Sequence, residues 1–311
     1  MGTGARRRPR AGSVVALAVR RFWAQDMLHH AGALTYYSLL AFFNALLLGV
    51  ALMGLLGTGA TLNQLASFLE GNGADPKLID SVLAAARNAV EAKTTSLLAL
   101  LFAIAIAFWL CSSAFIAAST ALNVIVEARD DRSPVRRRAE AVGHTAVAVL
   151  LVVGATIAVF LGGSVAREVL GFVGLGGSAA HVWAIARYPV GIVLAMTAFA
   201  WTYYAAPTVA QPRWRWISLG AAVGVAVWML ASIGLFLFAA QFHTYNATYG
   251  AFATAILLIV WLWWTNVALL LGAEINAAGR YAEGAPTPIS KTGDTPEVAQ
   301  HEAAKRTVGR G

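Results

Sequence analysis

The chain has very little charge for its length. Only 12% of its 311 residues are Asp, Glu, Lys or Arg, whereas ordinary soluble domains carry about 25%. No charged side chain occurs in the 58 residues between Arg215 and Glu274, and hydrophobic residues make up 59% of the chain. A soluble globular protein of this composition would have too little polar surface to stay dispersed in water. The sequence therefore indicates an integral membrane protein.

Cysteine and the motifs of enzyme active sites are also scarce. Because Cys111 is the single cysteine, no disulfide can form within the chain. The six histidines show neither H-x-H nor H-E-x-x-H spacing. The sequence has no Walker phosphate loop, no G-x-S-x-G motif and no acidic cluster suited to magnesium. We therefore expect no catalytic residue, no metal site and no cofactor, and we predict that the protein is not an enzyme.

The charge that is present is mostly positive, with a net charge of +8 and a pI of about 10.0. A basic chain can bind nucleic acid. Here, however, the basic residues lie in short segments beside the hydrophobic runs. This placement favours membrane lipids as the partner and argues against nucleic acid.

The hydrophobic runs predict an all-α, polytopic membrane protein, a helical bundle with six transmembrane helices. Backbone groups in hydrocarbon cannot bond to water, so each run should be a helix of roughly 20 residues or more. The predicted spans are residues 33–56, 97–125, 142–163, 185–205, 217–240 and 251–273.

The distribution of Lys and Arg predicts the orientation of these spans. Six spans place both termini on the same side of the membrane. Eighteen of the 23 Lys and Arg residues then fall on that side and five on the other. Because positive charge is retained in the cytoplasm during insertion, we expect both termini to be cytoplasmic.

Three segments are predicted outside the bilayer, which divides the chain into residues 1–30, 31–280 and 281–311. Residues 12–30 form a predicted amphipathic helix that either lies on the cytoplasmic leaflet or continues the first span. Residues 57–95 have the pattern of an external amphipathic helical hairpin, either a structural cap or a lid over a cavity. Residues 281–311 lack apolar periodicity, which is typical of a disordered cytoplasmic tail.

Polar side chains inside or beside the spans are the candidate functional residues, because such groups are costly in hydrocarbon. They either line a path for a substrate or pack helices together through hydrogen bonds. These candidates are Asn44, Ser112, Ser113, Asn123, Tyr203, Asn266, Glu274 and Asn276. A second group lies at the predicted external turn between the last two spans, namely His243, Tyr245, Asn246 and Tyr249.

Glu274 directly follows the longest uncharged run, and three interpretations are open for it. Its carboxylate can extend to the cytoplasmic surface, or pair with Arg213 or Arg215, or bind a proton or cation.

Several of these segments resemble one known family. Residues 30–43 read HAGALTYYSLLAFF, residues 245–250 read YNATYG and residues 271–276 read LGAEIN. With ALNV at 121–124 and YYAAP at 203–207, they resemble the YihY/BrkB family of bacterial inner-membrane proteins. Asn44 departs from the pattern, because the family usually has proline there.

The resemblance implies a six-helix membrane protein that supports envelope integrity. The family's older label, ribonuclease BN, implies RNA cleavage, which the residues above do not support. We therefore expect a protein that transports or flips a lipid or another amphiphile without its own ATPase. The alternative is a scaffolding protein of the cell envelope without transport activity. Either function would involve membrane lipids as partners, together with other copies of this chain in a homo-oligomer or with envelope proteins.

Overall fold

The structure of the chain is a computed structural model that describes residues 11–56, 97–160, 177–209, 218–241 and 243–282. It also describes six isolated positions between residues 66 and 84. Helices make up almost all of these residues, and no β-strand occurs among them. The predicted all-α class is therefore confirmed. The helices are α1 (Ala11–Ala24), α2 (Met27–Leu56), α3 (Leu97–Ile125), α4 (Pro134–Phe160), α5 (Gly177–Ala205), α6 (Leu219–Gln241) and α7 (His243–Ala282).

Five of these helices contain segments long and apolar enough to cross a membrane. The segments are Ile104–Ile125, Pro134–Ala155, Ile185–Ala205, Leu219–Ala239 and Ala255–Ala282. They correspond to the second to sixth predicted spans. Helix α2 contains the first predicted span and begins six residues before it, but its side chains beyond residue 44 lie outside the described part of the chain. The count of six spans therefore stays a prediction.

The chain divides into two compact units, residues 1–35 with 115–311 and residues 36–114. Within the first unit α6 packs on α7, α4 on α5, α1 on α7, and α5 on α6. Its core includes Met27, Leu122, Ile125 and Leu270, all almost fully buried. In the second unit the Cys111 thiol approaches the Ala41 carbonyl at 3.7 Å, which joins α2 and α3.

Local hydrogen bonds explain where several helices begin. Ser133 and Pro134 open α4, with the Ser133 hydroxyl accepting from the Arg136 N–H, and proline at the first helical position needs no donor partner. Ser218 opens α6 by accepting from the Ala221 N–H at 3.0 Å. These caps satisfy donors that a helix start leaves without an intrahelical partner.

Helix α1 is separate from α2, so the interpretation that it continues the first span is wrong. Asp26 lies between them with a φ of 52°, a left-handed conformation that interrupts a helix. Val14 and Ala18 of α1 pack on Ile275 and Ala278 of α7.

The predicted extramembrane hairpin and tail lie mostly outside the described residues. The described positions in the hairpin agree with an amphipathic helix, since Ile79 and Leu83 are buried while Asp80 is exposed. Helix α7 continues to Ala282, and residues 283–311 lie outside the described part.

The interruption between the last two spans is narrower than the sequence predicted. Helix α6 ends at Gln241 and α7 begins at His243, so the backbone of the predicted turn at residues 241–249 is helical at Gln241 and from His243 onward. A helix satisfies its own backbone groups, which favours it over an open turn next to hydrocarbon. The side chains of His243, Tyr245, Asn246 and Tyr249 lie outside the described set.

Two indole–hydroxyl hydrogen bonds join the middle parts of α6 and α7. Trp228 donates to the Thr265 hydroxyl at 3.1 Å, and Trp261 donates to the Ser232 hydroxyl at 3.0 Å. The two indole rings lie 6.3 Å apart. An indole N–H in hydrocarbon needs an acceptor, and each helix supplies one for the other.

Glycine allows α6 and α7 to approach very closely nearer the start of α6. A Cβ at Gly220 would collide with the Gly272 carbonyl, and one at Gly272 would collide with the Gly220 carbonyl. One turn further along α6, a Cβ at Gly224 would lie 3.0 Å from the Ala268 carbonyl oxygen. Small residues four apart on both helices make this contact possible.

This close contact predicts a position-specific effect of glycine substitution in α6. Gly220→Ala should destabilise the protein by about 1–3 kcal/mol, because the added methyl group must push two backbones apart. Gly234→Ala is the matched control in the same helix, since nothing lies within 4 Å of its Cβ position. It should be neutral or stabilise by up to about 1 kcal/mol. Thermal unfolding followed by circular dichroism in detergent would measure both, and equal melting temperatures would contradict the close contact.

Candidate functional site

The first unit contains a buried acidic side chain, Glu274, near the end of the last membrane-spanning segment. Its side chain has 0% exposed surface. Arg21 of α1 donates from Nε to Glu274 Oε2 at 3.3 Å. The interpretation in which the carboxylate extends to the surface is therefore not what the structure has. Arg213 and Arg215, the other partners considered, lie outside the described residues.

The guanidinium of Arg21 is surrounded by further acceptors. It donates to Glu127 Oε1 at 3.2 Å from both terminal nitrogens, and to the Ile125 carbonyl at 3.0 Å. Its Cζ lies 4.4 Å from the centre of the Tyr281 ring. We call Arg21, Gln25, Glu127, Glu274 and Tyr281 the Arg21 cluster.

Gln25 completes the Arg21 cluster when its side-chain amide is oriented to satisfy its neighbours. Its nitrogen then donates to Glu274 Oε1 at 2.8 Å, and its oxygen accepts from Arg21 at 2.9 Å. Both carboxylate oxygens of Glu274 are thus bonded, one to α1 and the other to the residue that follows α1. The cluster joins α1 and α7 to the residues that follow α3.

The electrostatics of the Arg21 cluster favour a permanently charged guanidinium. Burial alone lowers the pKa of Arg21, but the adjacent Glu274 and Glu127 carboxylates more than offset this and raise it. Taking two charges out of water costs several kcal/mol per ion, which a single ion pair rarely recovers in full. A buried pair at the edge of a span is therefore better explained by function than by stability.

A second polar network lies at the end of α3. The Asn123 side-chain oxygen accepts from the Thr208 backbone N–H at 2.8 Å and lies 3.1 Å from the Thr208 hydroxyl. That hydroxyl also lies 3.0 Å from the Arg129 carbonyl. These contacts fix the segment after α5 to the segment after α3.

Arg132 holds the connection between α3 and α4 in place. It binds both carboxylate oxygens of Asp130, at 2.8 and 2.9 Å, and Glu140 at 2.8 Å. It also donates to the Ser119 hydroxyl, which itself donates to the Ala206 carbonyl at 2.6 Å. The Arg132 side chain is only 7% exposed, so its bonds are largely shielded from water and fix the connection in one conformation.

Other candidates named from the sequence also tie helices together. The Asn266 amide donates to the Thr35 hydroxyl at 3.3 Å, and the Tyr203 hydroxyl donates to the Leu269 carbonyl at 2.8 Å. The Asn276 oxygen accepts from the Gly220 N–H at 2.9 Å, so a side chain of α7 caps α6. These three residues form hydrogen bonds to other elements, and bonds of this kind join helices in a membrane.

The remaining candidates bond within their own helices in the second unit. Asn44 donates to the Leu40 carbonyl at 2.7 Å, while Ser112 and Ser113 approach the Trp109 carbonyl at 2.7 and 3.4 Å. Such bonds join a side chain to a carbonyl one turn earlier in the same helix.

Several residues of these networks were not singled out from the sequence. Arg21 and Arg132 were used there only as charges that set orientation, and Glu127 and Thr208 had no assigned role. One signal was present for Arg21: a lone acid at the end of a long uncharged run needs a basic partner. The sequence alone does not show which of several nearby arginines supplies it.

Comparison with known proteins agrees with the membrane architecture. Residues 18–294, which contain all of the described helices except the first part of α1, match the sequence profile named Virulence factor BrkB. The chain belongs to the virulence factor BrkB family. No solved structure matches the chain.

Individual relatives of this BrkB-family chain match parts of it. YfkH of Bacillus subtilis (strain 168), whose name describes it as ribonuclease-like, is 27% identical over 176 residues, which is 57% of this chain and 64% of YfkH. A UPF0761 membrane protein of Enterobacter sp. (strain 638) is 35% identical over 29% of this chain and 31% of its own length. A UPF0761 membrane protein of Vibrio cholerae serotype O1 is 33% identical over 28% of this chain and 29% of its own length. The chain thus spans less than two thirds of each of these relatives.

The bonds of Arg132 to Asp130 and Glu140, which we call the Arg132 clamp, predict how the stability of the protein depends on pH. Hydrogen bonds from Arg132 hold the pKa of Asp130 below its ordinary value of 3.8, although burial opposes this. Because the pKa is lower in the folded protein, Asp130 stabilises the fold at pH values above its ordinary pKa. That stabilisation is lost as the pH falls through the folded value.

Asp130→Asn should therefore lower stability at neutral pH by about 1–2 kcal/mol and reduce the loss of stability on acidification below about pH 4. Thermal unfolding by circular dichroism at a series of pH values would measure this. Asp131→Asn, at an exposed neighbouring carboxylate, is the control and should follow the unsubstituted protein. Parallel pH profiles for Asp130→Asn and the unsubstituted protein would contradict the clamp.

Proposed function

We propose that this BrkB-family membrane protein supports integrity of the bacterial envelope by moving a lipid or another amphiphile between the leaflets of the inner membrane. It does so without an ATPase, a metal or a cofactor, and it is not an enzyme. Its partners are membrane lipids, and nucleic acid is not among them. Both termini lie in the cytoplasm, which is supported by the eighteen of 23 Lys and Arg residues on that side of six predicted spans.

The observation that carries this proposal is the fully buried carboxylate of Glu274, bonded to Arg21 from another helix. Ionisable groups within membrane-spanning segments are costly, and in transporters they mark the routes of protons, ions or charged substrates. The pair offers two functions to a transport cycle. Glu274 can accept a proton, and both charges can exchange their mutual contact for the charged headgroup of an amphiphile.

The location of the pair also supports transport. Arg21 belongs to the short helix α1, whereas Glu274 belongs to the last membrane-spanning helix. Breaking the pair would therefore loosen α1 from α7. A charge change in one place would alter a helix contact, as a coupling site requires.

The ribonuclease-like description of YfkH does not lead us to propose RNA cleavage here. The acidic side chains of the Arg21 cluster, Glu274 and Glu127, are bonded to Arg21. Asp130 and Glu140 are bonded to Arg132. Carboxylates engaged in this way are poorly placed to act as general acids or bases on a substrate.

A lipid-movement assay with purified protein in liposomes tests the proposal. Fluorescent phospholipids should cross from the inner to the outer leaflet at least about tenfold faster than in protein-free liposomes. Glu274→Gln and Arg21→Gln should each slow this movement about tenfold or more, equivalent to about 1.4 kcal/mol of barrier. Asp131→Asn, an exposed carboxylate outside the Arg21 cluster, is the matched control and should leave the rate unchanged.

The double variant Arg21→Gln/Glu274→Gln separates function from stability. Removing one partner of a buried ion pair destabilises a protein, while replacing both with neutral groups is often tolerated. We expect the double variant to recover a melting temperature near that of the unsubstituted protein and still to move lipid slowly. A double variant that moves lipid at the original rate would show that the pair only holds helices together.

A scaffolding protein without transport activity is the second candidate. It is favoured by the hydrogen bonds of Asn123, Asn266 and Asn276, which connect chain segments to one another. A protein built to hold a fixed shape would use its intramembrane polar groups in this way.

The scaffold candidate makes a different prediction in cells. Photocrosslinkers at two exposed positions, Arg129 in the connection between α3 and α4 and Val135 in the first turn of α4, should trap one defined envelope protein, while lipid movement in liposomes stays at background. The same crosslinker at Leu230, on an exposed face of a membrane-spanning helix, is the control and should trap mainly lipid. Rapid lipid movement by the purified protein would contradict the scaffold.

A further inference from the structure

Helix α1 has two apolar faces, of which only one is covered by protein. Val14, Ala18 and Phe22 are buried at helical spacing, and they form the face that packs into the first unit. Val15, Val19 and Trp23 recur at the same spacing on an adjacent face and are exposed, Trp23 at 64%. We call these last three residues the exposed stripe.

All charged residues in α1 and in the segment before it are positive, and the exposed Asp26 follows two residues after α1 ends. The first 25 residues of the chain contain no Asp or Glu. Arg20 is exposed and adjoins the exposed stripe in the helix, while Arg21 is already bonded within the Arg21 cluster. Four further arginines, Arg6, Arg7, Arg8 and Arg10, precede α1 in the sequence. An exposed apolar stripe beside positive charge is complementary to an anionic lipid surface.

The position of α1 along α7 also points to the lipid headgroups. The segment Ala255–Ala282 would be about 42 Å long as a straight helix, whereas the hydrocarbon core is about 30 Å thick. The uncharged run ends at Glu274, and α1 packs on Ile275 and Ala278 just beyond it. This part of α7 lies where hydrocarbon gives way to headgroups, so α1 is held at the level of the membrane surface.

A protein partner is less suited to the exposed stripe than a membrane. A stable interface buries about 800 Å² on each partner and involves 20 or more residues on each side. The exposed stripe offers three side chains on a helix of 14 residues. A lipid surface needs no such area, because each apolar side chain partitions into it independently.

We propose that α1 is a lipid-binding helix whose Val15, Val19 and Trp23 side chains insert into an anionic leaflet while Arg20 contacts lipid phosphates. The Arg21 cluster holds the helix in the orientation that presents this face. The helix would then sense the charge of the lipids around the protein. This inference does not depend on lipid transport, since a scaffold could use the same contact.

Spin labelling of the full-length protein tests this proposal. In a Cys111→Ala background, a nitroxide is attached at Val19→Cys within the exposed stripe or at Ala24→Cys, an exposed position on another side of α1. The protein is placed in nanodiscs of phosphatidylcholine alone or mixed with phosphatidylglycerol. Accessibility to lipid-dissolved oxygen and to a water-soluble nickel complex reports the surroundings of each label.

We expect the label at Val19 to be reached mainly by oxygen and the label at Ala24 mainly by nickel. Phosphatidylglycerol should increase the ratio of oxygen accessibility to nickel accessibility of the label at Val19. Arg20→Gln should reduce the effect of phosphatidylglycerol roughly fivefold, the contribution of one basic residue near an anionic surface. Circular dichroism confirms that each variant stays helical.

Two results would overturn the proposal. Equal nickel accessibility at both positions would place the exposed stripe in water. A label at Val19 reached by neither reagent would mean that protein covers the exposed stripe, such as a second copy of this chain. In either case lipid movement in the liposome assay is unaffected, so failure here is distinguishable from failure of the proposed function.

Discussion

A polar group that this protein buries in hydrocarbon can bond only to other groups of the protein, because hydrocarbon supplies neither donors nor acceptors. The first unit meets this requirement mainly with neutral pairs between segments, such as Asn123 with Thr208 and Asn266 with Thr35. Arg21 and Glu274 are different, since they meet it with two full charges and the Glu274 side chain is fully buried, unlike the Asp130 and Glu140 side chains that bind Arg132. Neutral pairs can hold helices together at lower cost, so the ionic pair is the feature for which packing alone is the weakest explanation.

The Arg21 cluster also connects parts of the chain that are far apart in sequence. Arg21 and Glu274 are separated by 253 positions, and Arg21 and Glu127 by 106. Glu127 has a φ of 54°, an unfavourable conformation for a residue other than glycine. Its bond to Arg21 helps to hold the end of α3 in this conformation. One guanidinium thus orients α1 and stabilises the turn after α3.

The sequence predicted the helices well because hydrophobic length is a local property. The second predicted span has the same limits as α3, and the fourth ends with α5 at Ala205. The partner of Glu274 was not predictable, because it depends on how α1 packs on α7. Face assignment in α1 was similarly limited. Val15 and Val19 have the same apolar character as Val14, and only the tertiary structure distinguishes the covered face from the exposed one.

The contact between α6 and α7 constrains any motion of the protein. A single residue separates the two helices at one end, and at the other the backbones touch at Gly220 and Gly272 while Asn276 caps α6. A hairpin restrained at both ends can neither slide nor splay without losing these bonds. Helices α6 and α7 would therefore move together as one rigid body. In the proposed transport function, a path for a substrate would have to open between other helices.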